Sequence, residues 1–120
     1  MSKINSFKDL LVWQKAIQIA VEVYKVTKDF PSEEIFGLRS QIRRAANAIA
    51  LNIAEGFGRH TTKSYINYLV TARSTLNEVE SGLILGTELE FTSIEKWSKT
   101  NALIIEEGKM ITALINSLKK

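Results

Sequence analysis

The chain has 120 residues, of which 45% are hydrophobic and 24% charged, as is ordinary for a single globular domain spanning residues 1–120. The absence of cysteine excludes a disulfide scaffold, a thiolate metal site and a cysteine nucleophile. A net charge of +3 is too small to identify a nucleic-acid-binding protein by itself. The sequence has neither an apolar signal-peptide run nor the ~20 apolar residues of a transmembrane helix, so we expect a cytoplasmic protein.

Apolar residues recur at alternating spacings of three and four, which predicts four helices over about residues 8–28, 38–57, 62–88 and 93–118. Pro31 follows the end of the first helix, Gly56 and Gly58 end the second, and Thr92 or Ser93 begins the fourth. Four helices with short connections favour an all-α, antiparallel up-down four-helix bundle. The stripes of the last three helices predict the core as Leu38, Ile42, Ala45, Ile49, Ile53, Tyr65, Leu69, Ala72, Leu76, Val79, Leu83, Gly86, Trp97, Ile104, Ile111, Ile115 and Leu118.

The first predicted helix is apolar on two sides. One stripe consists of Leu10, Trp13, Ile17, Ala20 and Tyr24, and the other of Val12, Ala16, Ile19, Val23 and Val26. An offset of two residues corresponds to about 200° on a helix, so the stripes lie on nearly opposite sides. Either the second side contacts another subunit of a homo-oligomer, or this helix is central in the monomer. We take the stripe from Val12 to Val26 as the candidate oligomer interface, although the pattern does not decide between the two stripes.

Positive charge is concentrated in the middle of the chain, although the net charge is small. Residues 39–75 contain six basic residues and one acidic residue, whereas the rest of the chain is slightly acidic. Five of the six are arginines, whose planar guanidinium groups suit phosphate and carboxylate. These residues predict an Arg-rich surface of the second and third helices that binds RNA or DNA, with the candidate residues Arg39, Arg43, Arg44, Arg59, Lys63 and Arg73.

A polar stripe borders the apolar stripe of the second helix and consists of Gln41, Arg44, Asn52, Glu55 and Arg59. In one interpretation these residues form an ion-pair and hydrogen-bond network that fixes helix register or a subunit contact. In the other, the excess arginine forms a phosphate site that Glu55 orients. The first interpretation leads to an alternative function, that of a structural adaptor for a protein partner, with the stripe serving subunit assembly.

Enzymatic function is not expected. His60 is the single imidazole, so a His-based metal site cannot form within one subunit. The spacing of the carboxylates does not match a di-metal bundle, and no Gly-rich phosphate loop is present. We therefore predict no catalytic residue, no metal, no cofactor and no membrane contact, and a non-enzymatic oligomeric binding module.

Several motifs resemble a known bacterial family. They include Trp13-Gln14-Lys15-Ala16, Phe36-Gly37-Leu38, Gln41-Ile42-Arg43-Arg44-Ala45-Ala46 and Asn52-Ile53-Ala54-Glu55-Gly56-Phe57-Gly58-Arg59. The sequence is similar to the four-helix-bundle family first named from proteins encoded in intervening sequences of 23S ribosomal RNA genes, often labelled "S23 ribosomal protein". The resemblance implies a bundle that assembles into a homopentameric ring. It also extends to the accessory protein of diversity-generating retroelements, a basic pentamer that binds nucleic acid and a reverse transcriptase.

Overall fold

The structure, a computed structural model, describes residues 4–120 and contains four long helices within that range and no strand. The helices are α1 (Leu11–Thr27), α2 (Leu38–Phe57), α3 (Thr62–Glu88) and α4 (Ser98–Leu118). Each packs against the next along the chain, and α1 also packs against α4, so the four surround one core. The predicted all-helical, four-helix fold is therefore confirmed.

Contacts between the helices give their relative directions. Arg43 near the start of α2 reaches Thr27 at the end of α1, and Trp97 just before α4 reaches Thr87 near the end of α3. Between α1 and α4, Lys15 pairs with Glu106 at 2.7 Å and Glu22, farther along α1, pairs with Lys99 near the start of α4 at 3.5 Å. Neighbouring helices therefore run antiparallel, and the α1–α2 and α3–α4 connections lie at the same end of the bundle. None of the described helices is long and apolar enough to cross a membrane.

Two predicted helix starts are wrong. The first long helix begins at Leu11 rather than near residue 8, because Phe7–Asp9 form a separate 3₁₀ turn capped by Ser6 and followed by extended backbone at Leu10. The fourth begins at Ser98 rather than near residue 93. Turns precede it and bury the Trp97 side chain, so that the indole N–H donates to the Thr87 hydroxyl at 2.9 Å.

The candidate oligomer interface on α1 is also wrong. Its members are 0–8% exposed within the monomer and belong to the hydrophobic core: Val12, Ala16, Ile19, Val23 and Val26. In the opposite stripe, Trp13 packs edge-on against Phe7 at 5.1 Å, while Ile17 and Tyr24 remain exposed. The stripe of small and β-branched residues faces the core because it is apolar at every position, whereas Trp13 and Tyr24 carry polar atoms suited to the bundle's edge.

The role predicted for Gly56 needs correction. Gly56 lies inside α2 and is buried against α3. A Cβ atom at this position would stand only 2.7 Å from the Tyr68 Cβ, so a larger residue would not fit. Gly58 does follow the helix, but with a φ of −83° rather than the left-handed conformation typical of a terminating glycine. Gly56 therefore permits close packing of α2 against α3 and does not stop the helix.

Candidate nucleic-acid interface

Arg43 is held where α1 ends against α2. Its Nε donates to the Thr27 hydroxyl at 2.8 Å, and its Nη2 donates to the Tyr24 carbonyl at 3.2 Å. The guanidinium carbon also lies 4.4 Å from the centre of the Tyr24 ring, within cation–π range. A cation near the final turn of a helix complements the partial negative charge of its carbonyls. Arg43 thus fastens α2 to the C-terminal end of α1.

Tyr24 is fixed by the same contacts. Asn47, one turn beyond Arg43, donates from its amide to the Tyr24 hydroxyl at 3.0 Å. The Tyr24 residue is 41% exposed although Arg43 covers one face of its ring. The aromatic ring and the guanidinium group therefore form a fixed pair at the surface.

Three of the predicted arginines surround one shallow concavity of about 380 Å³. Its lining consists of Tyr24, Ile35, Arg39, Ser40, Arg43, Arg44 and Asn47 and includes no carboxylate. The side chains of Arg39 and Arg44 make no hydrogen bond or ion pair with any residue in the range 4–120. We call this set of lining residues the basic concavity. No carboxylate lines the concavity, although Glu78 lines the second groove to which Arg44 also belongs. An excess of positive charge is the electrostatic character expected of a phosphate-binding surface.

The connection beside the concavity is held firmly. Phe30 is buried and packs against Phe91 with ring centres 5.5 Å apart. The Glu34 Oε1 accepts a hydrogen bond from the Leu38 backbone N–H at 2.8 Å, which caps the start of α2. The nearby carboxylate is therefore committed to the backbone. Phe36 projects from this frame and is 95% exposed.

The remaining basic candidates do not lie there. Arg59 lies two residues beyond the other end of α2, and the helix from Arg43 to Phe57 alone is about 21 Å long. It pairs with Glu55 at 3.6 Å, and its Nε donates to the Ser64 hydroxyl at 3.3 Å. Lys63 belongs to this second end and is exposed. The candidate basic residues therefore do not all lie together, because three arginines lie near the start of α2 whereas Arg59 and Lys63 lie beyond its end.

Arg73 is separate from both groups. It lines a groove between α3 and α4, and its Nη1 donates to the Thr112 hydroxyl at 3.2 Å. Glu80 lines the same groove, so the charge there is balanced in part. Arg73 therefore bridges the third and fourth helices.

The predicted polar network on α2 forms only in part. The Glu55–Arg59 ion pair is present, but both side chains are about half exposed, and such pairs contribute about 0–1 kcal/mol. The Asn52 amide donates to the Ala48 carbonyl of its own helix at 2.8 Å. Gln41, Arg44 and Asn52 line an open groove between α2 and α3 instead of linking those helices. The polar stripe therefore does not hold α2 and α3 together within the monomer.

Sequence reasoning missed two residues. Phe36 belongs to no apolar stripe. The feature that could have identified it is an aromatic residue in a connection, only three positions before Arg39. Glu107 is fully buried on α4, and neither carboxylate oxygen has a hydrogen-bond partner among the described residues. Its signal is position, since it lies three residues after core Ile104 and four before core Ile111.

Comparison with known proteins gives the class of this chain. A family model for the 23S rRNA-intervening sequence protein matches residues 8–113. The chain therefore belongs to the 23S rRNA-intervening sequence protein family, and the resemblance drawn from its motifs is confirmed.

A crystal structure with the same architecture comes from Bacteroides thetaiotaomicron VPI-5482 and is described as a protein of unknown function from the S23 ribosomal protein family. It is 26% identical in sequence with a TM-score of 0.79, and the alignment covers 88% of this chain and 98% of that chain. A comparison with curated proteins gave no match.

Proposed function

We propose that this protein is a non-enzymatic, oligomeric module that binds RNA or DNA through the basic concavity. The observation that carries the proposal is the lining of that concavity, with three guanidinium groups and no carboxylate. The side chains of Arg39 and Arg44 have no protein partner among the described residues, so binding phosphate would not disrupt an existing contact. Arg43 contributes charge while it holds the fold. Such a surface contacts the backbone of a nucleic acid and confers little sequence specificity.

Association of several copies is the second part of the proposal. Exposed apolar side chains remain on the outer surfaces of α1 and α4, among them Leu11 at 67%, Val21 at 48% and Ile105 at 52%. A ring of five, as the family resemblance implies, would repeat the basic concavity and hold several at fixed spacing. Such repetition raises the effective concentration of each site for a long polyanion. Light scattering of the purified protein tests the assembly, and a uniform monomer would contradict this part.

Removing two charges tests the binding surface. We expect the double variant Arg39→Gln/Arg44→Gln to bind a fluorescent oligonucleotide about tenfold or more weakly at about 100 mM salt. The dependence of log K on log salt should also become shallower, by about one for each phosphate that the variant no longer neutralises. Fluorescence anisotropy over about 50–200 mM salt measures both quantities. The circular dichroism spectrum should be unchanged, because neither arginine side chain makes a hydrogen bond or ion pair with another described residue.

The matched control is Lys109→Gln/Lys119→Gln, which removes two exposed positive charges at and beyond the C-terminal half of α4. Its affinity and salt dependence should stay close to those of the parent protein. Equal weakening in the two double variants would mean that net charge, rather than the basic concavity, drives binding. No binding at low salt would overturn the nucleic-acid proposal and favour the alternative role as an adaptor for a protein partner.

A further inference from the structure

We infer that the basic concavity takes unpaired nucleotides, with a base stacked on the ring of Phe36 and the adjoining phosphates on Arg39 and Arg44. This inference rests on the proposed nucleic-acid binding and specifies the kind of nucleic acid. It depends on an exposed aromatic residue that directly follows Ile35, one of the residues that line the basic concavity, in the chain.

Phe36 is exposed in an unusual way. Its side chain is 95% accessible, the most of any large hydrophobic residue among the described exposed set, and Ile35 beside it is 46% accessible. Ile35 lines the basic concavity, and Phe36 is the next residue in the chain. Both faces of the ring are therefore open to solvent, one residue along the chain from the lining of the concavity. Proteins that bind single strands combine such aromatic platforms with basic grooves, because every base has a π face.

Backbone hydrogen bonds hold the turn that carries Phe36. Ile35 and Gly37 donate backbone N–H groups to the Ser32 and Glu34 carbonyls at 3.2 and 3.1 Å. Glu34 caps α2 through its side chain, and Phe30 anchors the preceding residues in the core. Stacking of a base on Phe36 would therefore break none of these contacts.

Base pairing should prevent this contact. In a duplex the bases are stacked on one another, and their faces are not available to a protein side chain except at ends or after unstacking. The arginines alone would hold single strands and duplexes through their phosphates. Phe36 adds a contribution that only unpaired nucleotides can receive, so it should create a preference for single strands.

The test compares Phe36→Ala with the parent protein, using single-stranded RNA, single-stranded DNA and a duplex of the same length. We expect single-strand affinity to fall about tenfold and duplex affinity to stay within about twofold. The salt dependence should not change, because no phosphate contact is removed. Phe36→Trp should retain single-strand binding, and its indole fluorescence should be quenched on binding. A larger fall in affinity for RNA than for DNA would assign the site to RNA.

The control is Ile84→Ala, which shortens an exposed apolar side chain on α3 and should leave all affinities unchanged. Equal weakening of single-strand and duplex binding by Phe36→Ala, or no weakening, would overturn the stacking inference while leaving the proposed function intact. A change in particle mass in Phe36→Ala would place Phe36 in a subunit contact and also overturn it. Absence of all binding at low salt would overturn the proposed function together with the inference.

Discussion

Replacing Glu107 by leucine should raise the free energy of unfolding near pH 7 by about 3 kcal/mol. Glu107 is fully buried in the core face of α4, and neither oxygen has a hydrogen-bond partner among the described residues. Burial raises the pKa of this carboxyl from an ordinary 4.5 to about 8, against the opposing effect of the Lys15 ammonium, and Glu106 adds a smaller upward contribution. Lys15 does not neutralise it, since its ammonium pairs with Glu106 at 2.7 Å.

The sign of the pH dependence follows from that shift. Because the pKa is higher in the folded protein, the folded state binds the Glu107 proton more tightly than the unfolded state does. Stability from this group is therefore complete below an ordinary carboxyl pKa of 4.5, falls as the pH rises towards about 8, and then levels off. Urea unfolding at several pH values should show this decline in the parent protein and a flatter profile in Glu107→Leu.

Two further variants separate charge from packing. Glu107→Gln removes the titration and keeps the shape, so it should also flatten the profile, with a smaller gain because the amide stays buried. Glu88→Gln is the surface control, since that residue is exposed at the end of α3 and its change should move stability by less than about 1 kcal/mol. Parallel pH profiles for Glu107→Leu and the parent protein would show that the buried carboxyl does not titrate in this range.

Glu107 shows that the spacing of apolar residues predicts the core face of a helix but does not reveal a charged residue buried on that face. The spacing of Trp97, Ile104, Ile111 and Ile115 correctly placed the core face of α4. Between Ile104 and Ile111 the same periodicity allows either Glu107 or Gly108 on that face. A helical wheel places Glu107 and Gly108 both near the core face of α4. It does not show which of them is buried, because burial depends on how the neighbouring helices pack.

The same limitation affected α1 and the arginines. Two apolar stripes on one helix could not be ranked without knowing which neighbours would cover them, and the structure buries the stripe that was assigned to an interface. The arginines between residues 39 and 73 are close in sequence, but the length of α2 separates Arg43 from Arg59, with about 21 Å of helix between Arg43 and Phe57 alone. Sequence thus predicted the helices and the residue types of the site, whereas the grouping of those residues required the packing.

Gly56→Ala should lower the free energy of unfolding by about 2 kcal/mol or more, although alanine is the better helix former. The added Cβ would lie 2.7 Å from the Tyr68 Cβ and 3.3 Å from the Tyr65 carbonyl oxygen. Both atoms move only with the α3 backbone, so rotation of a side chain cannot relieve the clash. The helices must separate, and the buried contacts between them weaken over several turns. Thermal or urea unfolding measures the decrease in stability.

Gly108→Ala provides the matched control, because this glycine is also inside a helix. Its added Cβ would meet only the Leu76 Cδ1, at an ordinary 3.8 Å. Here the reduced entropy of the unfolded chain should dominate and stabilise the protein by about 0.5–1 kcal/mol. The same substitution is therefore expected to have opposite signs at the two positions. A stabilising Gly56→Ala would mean that α2 and α3 can separate at little cost, and that close contact at Gly56 does not determine their packing.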